Sequence, residues 1–250
     1  MPAPTTLHLA LISAAVLGLR HGFDYDHIAA ISDITSVEQT PARAMRMGLW
    51  YVVGHGATVA ALGGAVILFQ RSLPARLDNW AERAVGMTLI LLGVYVLGTL
   101  VRRESQVVPR SRAMILVSAF RWLVWRIRNL YKPGAAAKPT YGADTYSPRL
   151  VFLVGVIHGV GAETPTQLLL FFVAANLGGV SRGFLGLAMF LAGLLAMNTL
   201  MTASAVGIFG ASAVRPQVMR FVVALTAAYS LVVGVVFLFG LSGLLHPLGT

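Results

Sequence analysis

The sequence predicts an all-α polytopic membrane protein, and three observations carry that prediction. Of 250 residues, 57% are hydrophobic and 11% charged, with mean hydropathy +0.76; soluble domains carry about 25% charged residues. Six segments approach or exceed the roughly 20 apolar residues that span a bilayer as a helix. Most basic residues fall between these segments. The expected architecture is about six transmembrane helices in two inverted three-helix repeats, plus an interfacial amphipathic helix in the central loop. The chain divides accordingly into 1–101, 102–149 and 150–250.

The six segments cover about 6–34, 47–69, 84–101, 150–175, 184–210 and 221–245. The first is long enough to tilt or to break near Gly22, and the third is short. Connectors hold breaker residues: Pro41, Pro74, Pro148, Gly178-Gly179 and Arg215-Pro216. Residues 102–149 form the long loop. Within it, 112–131 places Trp122 and Trp125 among arginines, the pattern of a helix lying at headgroup depth; a seventh span is the alternative. Residues 132–147 read as linker. The first apolar stretch lacks a basic start and runs past its charged cluster, so it is expected to stay as a span instead of being cleaved.

A net charge of +10 and a pI near 10.8 could suggest nucleic acid. The distribution of charge argues for topology instead. Fourteen lysines and arginines fall on the long-loop side and four on the other, which places the long loop in the cytoplasm and both termini outside. The expected location is the cytoplasmic membrane. Cysteine is absent, which removes disulfides, thiolate metal sites and thiol catalysis. No nucleotide-binding loop is present, so ATP would need a separate subunit.

The first segment contains Arg20, His21, Gly22, Phe23, Asp24, Tyr25, Asp26 and His27. One ionisable residue at the bilayer centre costs roughly 3 kcal/mol, so several together need a compensating purpose. Neutral imidazole and carboxylate are ligands for divalent transition metals. On an ideal helix with His21 at zero, Asp24 lies about 60° and His27 about 120° to one side, while Asp26 points about 140° the other way. His21, Asp24 and His27 could then converge on one ion. Asp26 would orient a neighbouring ligand, or join only through a helix irregularity.

His55 lies mid-span between Gly54 and Gly56, which let another backbone approach. Alone it reads as an interhelical hydrogen-bonding residue; beside the first cluster it reads as ligand or relay. The fourth segment carries His158-Gly159, Glu163, Thr164, Pro165, Thr166 and Gln167. A plain kink is one reading. A buried carboxylate needs a partner, which favours a cation role for His158 and Glu163. His21-Gly22 with Asp26 and His158-Gly159 with Glu163 share one spacing, which suggests related halves. Asn198 reads as interhelical glue.

The run from Arg20 to Ile28 resembles the H-x4-D-H motif of the nickel/cobalt transporter family. His21, Asp26 and His27 fill its fixed positions, and Asp24 matches a further acidic position. Gly54-His55 resembles a second motif, in which Gly56 replaces the usual serine. Ser32-Asp33 stands where the family often has Asp-Asn, and six spans are fewer than the eight of better-known members. The resemblance implies uptake of Ni²⁺ or Co²⁺, with the motif histidines and aspartates required.

The expected function is therefore a secondary permease importing Ni²⁺ or Co²⁺. Its metal residues are His21, Asp24, Asp26, His27, His55, His158 and Glu163. No prosthetic group is expected; the ion is substrate. The expected partners are that ion, the bilayer and, as an option, further copies of the chain, with no nucleic acid. An exporter of the same fold is the alternative, although the long loop holds no histidine. An intramembrane metalloenzyme is a further alternative, and H-E-x-x-H is absent.

Overall fold

The computed structural model describes residues 4–69, 75–104, 146–160, 179–241 and 243, and the described residues are helical apart from short turns and helix ends. The helices are α1 (Pro4–Gly22), α2 (Tyr25–Ser36), α3 (Pro41–Phe69), α4 (Ala75–Glu104), α5 (Pro148–Gly159), α6 (Val180–Ser212) and α7 (Pro216–Leu238). Four stretches are long and apolar enough to cross a membrane: Pro41–Phe69, Asn79–Leu100, Val180–Ser212 and Pro216–Leu238. Leu7–Gly22 and Pro148–Gly159 are shorter apolar helices. The 112–131 segment, the 132–145 part of the linker and Glu163 lie outside the described residues.

The solvent logic of a soluble protein is reversed. Leu9, Ile12 and Val16 of α1, Leu200 of α6 and Val232 of α7 are exposed, whereas His21, Asp26, His27, His55 and His158 are buried. Apolar side chains face outward because lipid tails solvate them. Polar groups gather inside, where they can satisfy one another.

The expected first span is two helices. α1 ends at Gly22, and the chain turns with Phe23 N–H donating to Arg20 O (2.9 Å) and Asp24 N–H to His21 O (3.2 Å). Asp24 has extended backbone (ψ 160°) and begins α2, its carbonyl accepting from Ile28 N–H at 3.1 Å. A tight approach accompanies the break: a Cβ on Gly22 would lie 2.8 Å from Met197 Cβ. α2 is a core helix. Ala29, Ala30, Ile31 and Ile34 are at most 1% exposed, because α3, α4, α6 and α7 surround α2.

Other boundaries also moved. α3 begins at Pro41, where Thr40 Oγ1 accepts from Arg43 N–H at 3.3 Å; proline suits the first helical position. The expected short third span is instead the 30-residue α4, whose polar ends hide its length from hydropathy. α7 stops at Leu238 instead of 245. Gly240, at φ 69°, supports the stop, with Leu241 N–H donating to Val236 O and Gly240 N–H to Phe237 O. That bond pair is a Schellman closure.

α1 packs along α6, α4 along α7, and α3 against both α5 and α6. The closest approaches come in reciprocal pairs. A Cβ on Gly54 would lie 2.2 Å from Phe152 O, and one on Gly155 would lie 2.2 Å from Tyr51 O. Likewise Gly18 abuts Phe190 O, and Gly193 abuts Ala15 O at 2.1 Å. Small residues at helix crossings allow this backbone contact.

Candidate metal site

The helix break sets the site. His21 closes α1, Asp24 occupies the turn, and Asp26 and His27 open α2. From α3, His55 reaches the same point. His21, His27 and His55 each offer a ring nitrogen, and these atoms lie within 4.8 Å of one another. All three rings are buried: 5%, 1% and 0% exposed. Ring centroids are 5.0 Å apart for His21 and His27, and 4.5 Å apart for His27 and His55.

Carboxylates hold two of the rings. His21 Nδ1 donates to Asp24 Oδ2 at 3.1 Å, and His27 Nδ1 donates to Asp26 Oδ1 at 3.0 Å. A carboxylate can only accept here, so each ring's proton sits on Nδ1 and its Nε2 keeps a lone pair. His21 Nε2 has no hydrogen-bond partner among the described residues. His27 Nε2 lies 3.3 Å from His55 Nε2, which donates when its proton is on that nitrogen. Moving that proton to His55 Nδ1, which has no partner among the described residues, would turn both Nε2 lone pairs on one cation. Two imidazoles binding one ion tetrahedrally at about 2.1 Å place their nitrogens about 3.4 Å apart, close to the observed spacing. Carboxylate–histidine pairing of this kind fixes tautomer and ring orientation and raises ligand basicity.

Sequence comparisons bear on the same chemistry. Over 80 residues the chain is 36% identical to the "High-affinity nickel transport protein" of Cupriavidus necator, covering 32% of this chain and 22% of that protein. Over 97 residues it is 31% identical to the "Cobalt transport protein NhlF" of Rhodococcus rhodochrous, covering 38% and 28%. Over 187 residues it is 25% identical to the "Hydrogenase nickel incorporation protein HupN" of Bradyrhizobium diazoefficiens, covering 69% and 46%. The likeness is to nickel and cobalt transport proteins. It agrees with the resemblance carried by the H-x4-D-H motif, and the matched segments span less than half of each relative's length. No family model matches the chain. No solved structure matches it either.

His158 does not join the trio. Its Nδ1 accepts from Tyr51 O–H at 3.3 Å, and its Nε2 donates to Thr88 Oγ1 at 2.8 Å. The Thr88 hydroxyl in turn donates to Val85 O at 2.7 Å, so the donors and acceptors run one way. Asp26 Oδ2 lies 3.5 Å from His158 Nδ1, and Asp26 thereby stands between His27 and His158.

The structure therefore rearranges the expected set. Asp24 was expected on the ligand face and lies against His21 as its hydrogen-bond partner. Asp26, expected to point away from His21, bonds the adjacent His27, and the break before α2 resets the phase of both against His21. Tyr51 and Thr88 were missed. Tyr51 had a signal, since it stands one turn before His55 on the same face of α3. Thr88 had none, being brought in by tertiary packing. Asn198, expected as interhelical glue, is fully buried with neither amide atom bonded among the described residues.

Proposed function

We propose that this chain is a secondary permease that takes up Ni²⁺ or Co²⁺ across the cytoplasmic membrane. The observation that carries the reading is the buried trio of His21, His27 and His55, two of them oriented by carboxylates, at a helix break inside an apolar bundle. Imidazole nitrogen suits both ions, and the names of the relatives point the same way. His21, His27 and His55 hold the ion. Asp24 and Asp26 orient the rings and offset the ion's two charges, so the loaded site needs no further counter-ion. His158, itself held by Tyr51 and Thr88, lies beside Asp26 at the edge of the site.

Broken helices facing a buried polar site are the plan of transporters built from inverted repeats. The reciprocal approaches of Gly54 with Gly155 and Gly18 with Gly193 support two related halves. With the long loop in the cytoplasm, an inside-negative potential favours entry by about 2.3 kcal/mol per charge per 100 mV.

The test is uptake by the purified full chain in proteoliposomes carrying an internal metal-sensitive dye. Internal Ni²⁺ or Co²⁺ should rise faster than in protein-free vesicles and should accelerate under an inside-negative potential. Equal rates with and without protein would sink the permease reading. Asp26→Asn should keep the fold and lower Co²⁺ affinity by roughly 10–100-fold, the usual cost of losing an orienting partner. Titration followed by the visible Co²⁺ spectrum checks this; an unchanged affinity would remove Asp26 from the site.

A further inference from the structure

α2 carries buried acidic groups beyond the histidines. Asp33 is 0% exposed, and neither carboxylate oxygen makes a hydrogen bond among the described residues. The Ser230 hydroxyl stands beside Asp33 and makes a long bond to Ala29 O at 3.4 Å. Glu38 follows α2. Its Oε2 is paired with Arg43 Nε, while its Oε1 has no described partner. The buried Tyr146 hydroxyl also has no partner among the described residues, and its ring lies 4.7 Å from that of Tyr95. Burial, then the charges of Asp33, Tyr95 and Glu38, hold the Tyr146 hydroxyl well above the usual tyrosine range. Arg43 Nη2 also donates to Tyr146 O at 3.3 Å, so one guanidinium touches both Glu38 and Tyr146.

Of these groups, Glu38 reaches a cavity. A cavity of about 580 Å³ is lined by Thr35, Ser36, Glu38, Thr99 and Arg220. Asp33 lies seven residues beyond Asp26, which puts both on one face of α2 about 10 Å apart. One helix therefore carries His27 and Asp26, a buried carboxylate with no hydrogen bond among the described residues, and part of the cavity wall.

We propose that Asp33, with the free oxygens of Glu38 and Tyr146, forms a second and weaker divalent-cation site on the route from the histidine trio to this cavity. The proposal rests on the permease reading. An unpaired carboxylate in the interior is strongly unfavourable until a cation or proton neutralises it. Oxygen ligands hold Ni²⁺ and Co²⁺ less firmly than imidazole does. That weakness suits a transit site, since conduction needs binding strong enough to admit an ion and weak enough to release it.

The test uses Co²⁺ with the purified full chain. Titration of the parent should show a tight class with an imidazole-type visible spectrum and a weaker, oxygen-type class. Asp33→Asn should lose the weaker class and keep the tight spectrum, with proteoliposome uptake falling at least tenfold. Asp33→Glu should recover part of both. A purely structural role would not remove one class alone. Asp33→Asn protein that keeps both classes and parental uptake overturns the proposal, and identifies Asp33 as a carboxyl neutralised by a proton. Should that variant fail to fold, Tyr146→Phe removes one oxygen and should weaken the second class only; an unchanged second class overturns the proposal. A parent chain without the tight class defeats the permease reading instead, and the weak class still decides Asp33.

Discussion

In cells expressing His27→Ala, accumulated Ni²⁺ or Co²⁺ should fall to the level of cells carrying empty vector, at matched membrane abundance. His27 is the centre of the trio. Its Nε2 lies 3.3 Å from His55 Nε2, its ring is 5.0 Å from that of His21, and its Nδ1 binds Asp26. Alanine removes a proposed ligand and leaves Asp26 without its main partner. The loss of affinity should therefore exceed the roughly 10–100-fold that an orienting residue costs. The uncompensated carboxylate also disfavours the fold, so the comparison needs His27→Gln as well, which keeps a polar side chain of similar reach. Parental accumulation in both variants would remove the trio from the transport path.

Gly155→Ala should destabilise the protein by about 1–3 kcal/mol, the usual cost of forced overpacking, and should also weaken ion binding. A Cβ at this position would sit 2.2 Å from Tyr51 O and 2.9 Å from His55 N. Ordinary C···O contacts begin near 3.3 Å, so α5 must move from α3 by about 1 Å. The atoms it meets are backbone, which no rotamer change can relieve. They also belong to the turn of α3 that presents Tyr51 and His55, which ties the packing defect to the site. Gly207→Ala is the control, because nothing lies within 4 Å of its Cβ position. A thermal melt in detergent, paired with Co²⁺ titration, should show a lowered midpoint and affinity for Gly155→Ala and neither loss for Gly207→Ala. Equal midpoints would show that α5 and α3 separate without cost.

The residues from Arg20 to His27 declared a buried polar site because lipid penalises ionisable groups wherever they stand. Composition, and the apolar lengths of α3, α6 and α7, placed the chain in a bilayer for the same reason. These properties are local and additive, so a linear sequence displays them. Gly22 marked a place where α1 could break, yet the break's consequence was not readable. Helical phase carries across residues only while the helix is continuous, and the turn at Phe23 and Asp24 interrupts it. A continuous helix would put Asp26 about 140° from His21; in the folded chain Asp26 bonds His27 and lies 3.5 Å from His158.

Span ends were misjudged where polar residues continue a helix, as in α4, or where a glycine closure stops one inside apolar sequence, as at Gly240. The chemistry of single residues and the need for a membrane were determined by the sequence alone. Only the tertiary structure decided which residues meet. His27 and His55 are 28 positions apart, and Thr88 and His158 are 70 apart. Their contact depends on how closely α3, α4 and α5 approach one another, which is set by backbone packing at small residues and not by any periodicity along the chain.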